Sequence, residues 1–267
     1  MTSKDKRLTF APLLLLLPLC LSTPTARGQQ AYKIDETDYT RCDLSEVPPV
    51  GDPSAAVFKA MAEHPEARAA VVVYASEPGE ALSYAHHVSV WLTTRMGVAP
   101  ERLFEVNGGF AAKKRVEFWL VPAGATPPPS APAVARTGVT LFESFNYWGG
   151  ESCGYEREIA LEVFAETLKR LPGWRGTLVV RPHVNRRGMR PNDEGWDGYP
   201  LNRRQALRQA AEDRLQLVRQ LGLPPDRIRA VVGARSDWSH AELWLVPPAA
   251  PVKSAAPAGV RRRRLTS

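Results

Sequence analysis

GVAPERLFEVNGGFAAKKRVEFWLVP, residues Gly97 to Pro122, lies without a gap on GLPPDRIRAVVGARSDWSHAELWLVP, residues Gly222 to Pro247, when the chain is shifted by 125 positions. Ten positions are identical: Gly97, Pro100, Arg102, Val106, Gly108, Glu117, Trp119, Leu120, Val121 and Pro122 recur in the second stretch. An internal repeat of this kind governs how the rest of a chain is read, because each copy folds as the same unit. Upstream, with small gaps, VFKAMAEHPEARAAVVVY from Val57 matches VFAETLKRLPGWRGTLVVR from Val163, which pairs Phe58 with Phe164. Further back, AYKIDE around Ile34 and VTLFES around Leu141 stand at similar distances before them, so each copy begins with its own short strand.

Hydrophobic periodicity and breakers give one copy the order β-α-β-α-β. In the second copy they predict a strand at 139–143, a helix over about 156–170, a strand at 177–182, a helix over about 202–221 and a final strand or strand pair within 228–246. Pro172-Gly173 and Gly222 end the two helices. In the last strand Ala241, Leu243 and Leu245 share one face and Glu242, Trp244 and Val246 the other, since side chains alternate along a strand. The expected fold is α/β, an α+β sandwich of two tandem βαβαβ modules with the helices packed on one face of each small sheet. The modules span 31–123 and 138–249. Pro/Ala-rich composition marks 124–137 as a semi-extended linker and 250–267 as a disordered basic tail ending in Arg261 to Arg264.

The first residues carry a different message. Lys4, Lys6 and Arg7 precede an apolar stretch from Leu8 to Leu21 that contains five consecutive leucines, and Ala26-Arg27-Gly28 places small residues before Gln29. That is the layout of a secretory signal peptide over residues 1–28. The apolar run is shorter than the roughly 20 residues a membrane-spanning helix needs. A lipoprotein reading through Cys20 lacks the small residue expected before it, since Leu19 stands there. The expected location is periplasmic or secreted, with no transmembrane segment in the mature chain.

Export alters the charge reading. Lys4, Lys6, Arg7 and Arg27 against Asp5 carry +3 of the formal net charge of +7. Arg261 to Arg264 supply the remaining +4, so the body of the chain is near neutral and offers no global charge for nucleic acid. The arginine run reads as a solvated end, or as a contact for an anionic surface. After cleavage two cysteines remain, Cys42 and Cys153. An oxidising compartment permits one bridge between them, the alternative being two free thiols in loops. Two cysteines cannot build a four-ligand CxxC metal site.

Each copy resembles, over about 70 residues, the C-terminal OmpA/MotB-like domain that anchors envelope proteins to peptidoglycan. RPHVNRRG at 181–188 is similar to that family's strand-end G-H-T-D-x-x-G, NRRQALRQA at 202–210 to its helix motif N-x-x-L-S-x-x-R-A, and GLPPDRI to its G-I-P-x-x-R-I turn. KKRVEFWLV in the first copy is similar to the closing R-R-V-E-I strand. The resemblance implies a site in which the Asp of H-T-D and the Arg of R-A hold the charged end of a diaminopimelate side chain. Here Asn185 stands at the Asp position and Gln209 at the Arg position, with Arg208 just before it. Amides do not replace a charge-assisted carboxylate and guanidinium pair. In the first copy Ala75, Ser76 and Glu77 follow the strand, and Tyr84 matches Gln209.

Two further features are candidates for binding. The insertion RRGMRPNDEGWDGYPLNRR carries Arg186, Arg187, Asp193, Asp197, Trp196 and Tyr199. Arginines among aromatics suit anionic or sugar ligands, while a solvated loop of mixed charge explains the same composition. Arg214 falls, on a helical projection, with Leu207, Ala211, Val218 and Leu221. A cation on an apolar stripe needs a partner, either a ligand carboxylate or an acid such as Glu242. Glu242 and Glu117 recur in both copies, which points to a structural pairing.

No G-x-S-x-G, H-E-x-x-H, P-loop or dinucleotide fingerprint occurs, and the sequence calls for no cofactor. His86 and His87 adjoin on a helix, His64 and His240 sit near turns, His183 lies at a strand end, and Cys153 has no histidine nearby to activate it. The expectation is a non-catalytic envelope interaction or scaffold protein with a degenerate peptidoglycan site. A genuine peptidoglycan anchor through an altered site in the second copy is the alternative, its partners peptidoglycan or another envelope protein. A hydrolase or other enzyme, which would need a pocket gathering His183, Asp193 or Asp197 and a nucleophile, is the third reading.

Overall fold

The structure, a computed structural model, describes residues 30–39, 53–133, 138–147, 155–183 and 201–248. The predicted export signal, Cys42, Cys153, the insertion residues Asn185, Arg186, Arg187, Asp193 and Asp197, and the basic tail lie outside the described residues. Among those described, no helix is long and apolar enough to cross a membrane.

The first module runs β1 (Tyr32–Asp38), α1 (Pro53–Glu63), β2 (Arg68–Ala75), α2 (Pro78–Met96), β3 (Leu103–Phe110) and β4 (Arg115–Val121). The second runs β5 (Thr140–Asn146), α3 (Tyr155–Arg170), β6 (Arg175–Arg181), α4 (Arg203–Arg219), β7 (Ile228–Val232) and β8 (His240–Val246). Of the two possibilities for the closing segment, the strand pair is realised, and each module is βαβαββ rather than βαβαβ. The reason lies at Ala111 to Lys114 and at Gly233 to Ser239, where the chain leaves one strand and re-enters the sheet as another.

The strand orders are β1-β4-β2-β3 and β5-β8-β6-β7. The last strand inserts centrally, antiparallel to both neighbours, and β2 and β3, like β6 and β7, pair in parallel. Parallel neighbours need a long crossover, which α2 and α4 supply. Registers repeat as well: Arg68 faces Val121 as Arg175 faces Val246, and the first strand of each module is irregular at the same place, between Lys33 and Asp35 and between Leu141 and Glu143. The duplication read from sequence is therefore present strand for strand.

One helical match is corrected. Phe58 is 42% exposed while Phe164 is fully buried, and the buried partners of Phe164 and Leu168 in the first module are Val57 and Met61. The copies are displaced by 107 positions in this helix, one more than the identity of the two VF pairs suggests. Packing on the sheet, which requires the i, i+4 face, decides against the sequence match.

The same turn closes both units. Arg102, in the one-turn helix before β3, donates from Nε and Nη2 to the carbonyl of Ala67 and from Nη2 to those of Met61 and His64. Arg227 donates to Trp174, Leu168 and Leu171, the equivalent three carbonyls. Met61 and Leu168 lie in the last turns of α1 and α3 and the other carbonyls in the segments that follow, so a guanidinium fork closes the C-terminus of α1 and of α3. Gly97 and Gly222, at φ 70° and 71°, occupy equivalent left-handed positions after α2 and α4, where a Cβ is disfavoured.

Each module has its own core between helices and sheet, centred on Phe118, Leu120 and Leu92 in one and on Phe142, Phe164 and Leu243 in the other. The modules also share a joint. Leu82 of α2 packs against the second core, Ser83 Oγ donates to Glu143 Oε2 at 2.8 Å, and Glu77 accepts from the amide of Ser144 at 2.6 Å and from its hydroxyl at 3.0 Å. Unlike elements meet here, the second helix of one module against the first strand and first helix of the next. The two modules thus do not meet through equivalent elements.

Candidate functional site

The described residues of the candidate ligand site lie on α4. The helix begins at Asn202, whose side chain accepts from the amides of Arg204 and Gln205 while Gln205 Oε1 accepts from the Asn202 amide, a reciprocal capping box. Ser239 holds this end against the sheet, its hydroxyl accepting from the Leu201 amide at 2.7 Å and its carbonyl from the Tyr147 amide at 3.1 Å. The His183 amide in turn donates to the Leu201 carbonyl at 3.0 Å.

The buried stripe of α4 is Ala206, Ala210, Asp213 and Leu217. It lies one residue before the stripe expected at Leu207, Ala211, Arg214 and Val218, and Leu207 is 55% exposed. An aspartate on the core face and leucines on the solvent face displaced the hydrophobic pattern. Arg214 therefore stands at the margin, donating from Nε to the Ile228 carbonyl at 3.2 Å and from Nη2 to the Pro225 carbonyl at 2.9 Å. It does not pair with Glu242, which lies on the other face of the sheet and takes both Nε and Nη2 of Arg181.

Asp213 is the residue the sequence reading missed. It is fully buried and accepts four hydrogen bonds: from Tyr147 Oη at 2.7 Å, from Arg157 Nε at 2.9 Å and Nη2 at 2.6 Å, and from Gln209 Nε2 at 2.8 Å. Burial and then the adjoining carboxylate hold the Tyr147 phenol far above its ordinary value. For Arg157 burial works against the charge, but the attraction and hydrogen bonds of Asp213, with those of Glu158, together outweigh it and the net shift is upward. The only advance signal was an acid four residues after Gln209, in register with Ala206 and Ala210 on the helix.

Gln209 is thus engaged inside the fold, and Arg208 is exposed. In the first module Tyr84, at the matching position, is buried and stacks on Tyr39 with ring centroids 3.8 Å apart. Glu77, which follows the strand there, is committed to the joint. The repeated glutamates have a common geometry. Glu117 Oε2 accepts from Trp119 Nε1 at 3.1 Å, and Glu242 Oε2 from Trp244 Nε1 at 2.9 Å. Burial opposes the charge on Glu242, yet bonds from His240, Arg181 and Trp244 bring its pKa down to about 2.

Among the described residues, no three His, Cys, Asp or Glu side chains gather as a metal site would require. Compared with protein-family models and with curated proteins, the chain finds no match.

Proposed function

We propose that the protein is a non-catalytic, exported cell-envelope protein of two OmpA-like modules, acting as an interaction or scaffold module whose peptidoglycan site is degenerate. One observation carries the reading: the side chains at the positions corresponding to the family's ligand-binding arginine are used by the fold itself. Gln209 donates to the buried Asp213 at 2.8 Å, and Tyr84 is packed in the first core. Half-buried Gln209 gives an amide N–H to Asp213, and drawing it away to a ligand would cost the buried carboxylate one of its donors.

A retained anchor would have to work through Arg208 and the insertion. The test is co-sedimentation with purified sacculi at low and high salt, with wild-type and Arg208→Ala proteins. The scaffold reading expects no salt-resistant retention of either protein. Salt-resistant retention of the wild type that is lost in Arg208→Ala would establish the anchor instead.

A further inference from the structure

The two sheets share strand order and register, yet their outer faces, away from the helices, differ. In the first sheet Ala70, Val72, Val106 and Val121 are at most 4% exposed and form a separate apolar cluster with Ala125 packed on it. The segment after β4 provides the cover. Beyond Ala125 it reaches the edge strand β3, where Ser130 Oγ accepts from the Asn107 amide at 3.3 Å and the Ala131 amide donates to the Asn107 carbonyl at 2.7 Å. In the second sheet the matching Thr177, Val179, Val231 and Val246 are only half-buried.

The sequence names an occupant for that second face. The shift of 125 that superposes the closing strands continues past them: Ala125 falls on Ala250, and Ala131-Pro132-Ala133 on Ala256-Pro257-Ala258. Because Val121 and Val246 hold the same register, an equal number of residues leads from each strand to the Ala-Pro-Ala step. A chain extending at roughly 3.3 Å per residue then reaches the equivalent point, Val232 on the edge strand β7. An uncovered strand edge beside an apolar face is a liability that proteins cover. We propose that residues 249–256 dock on the outer face of the second sheet as residues 124–131 lie on the first, leaving Arg261 to Arg264 beyond the docked segment.

The test compares the intact chain with a chain ending at Pro248 by methyl and amide NMR. The expected result is displaced methyl signals of Val179, Val231 and Val246 and amide exchange in β7 faster by about tenfold or more, with the first sheet unchanged. Should the shortened chain unfold, an intact chain carrying Ala250→Asp and Ala256→Asp is expected to show the same displacements. Superimposable valine signals in intact and altered chains would overturn the proposal. So would displacements that track protein concentration in both, which would put a second copy on that face.

Discussion

Asp213 is the side chain on which the second core turns. A carboxylate with no exposed surface is tolerable only because a guanidinium, a phenol and an amide all donate to it. A buried ion pair adds little over well-packed apolar residues, but removing one partner strands the other. Arg157 retains a quarter of its side chain exposed, which moderates that penalty without removing it. Asp213→Ala is therefore expected to destabilise the protein by about 3 kcal/mol in urea unfolding, and Asp213→Ala combined with Arg157→Met by less than the single change. A double-variant loss equal to the sum of the losses of Asp213→Ala and Arg157→Met measured singly would show that the pair is not coupled. The residue was illegible in sequence because hydrophobic periodicity counts an acid as solvent-facing. That rule turned the α4 stripe by one residue and placed Arg214 on it.

At the scale of elements, the strands were far more legible than the helix faces. A strand offers two faces, so Ala241, Leu243 and Leu245 could only be in or out together, and all three are buried. A helix offers a continuum, and Phe58 and Phe164 match in letters while facing solvent and core respectively. The joint was not legible at all, because it depends on how closely one backbone approaches another. Gly79 in the first turn of α2 marks that approach: a Cβ there would stand 2.6 Å from both a ring carbon and the carbonyl oxygen of Phe142. Backbone cannot yield as a flexible side chain can, and over-packing of this kind costs about 1–3 kcal/mol. Gly79→Val is expected to lower stability by that amount and to speed amide exchange in β5, measured by hydrogen exchange. Exchange unchanged from wild type would mean that α2 does not rest on β5 in solution.

For the whole molecule, the joint carries a titratable group. His86 of α2 lies with Nδ1 2.9 Å from Glu105 Oε1 on β3. That hydrogen bond is the main cause that raises its pKa above 6.5, and Glu162 of α3, across the joint, adds to it against the cost of burial. A group whose folded pKa is raised stabilises the protein fully below its unfolded value, and the contribution fades as pH climbs through the folded value. The thermal midpoint of the intact protein is thus expected to fall between pH 6 and pH 9. His86→Asn should remove most of this slope while leaving the midpoint at pH 9 nearly unchanged, because the neutral imidazole has already lost its charge there. Glu162→Gln should remove part of the slope, and only if the modules are docked as described. If Glu162→Gln left the pH dependence intact while His86→Asn abolished it, the histidine would be acting within the first module alone, and the joint would have no share in the pH dependence of stability.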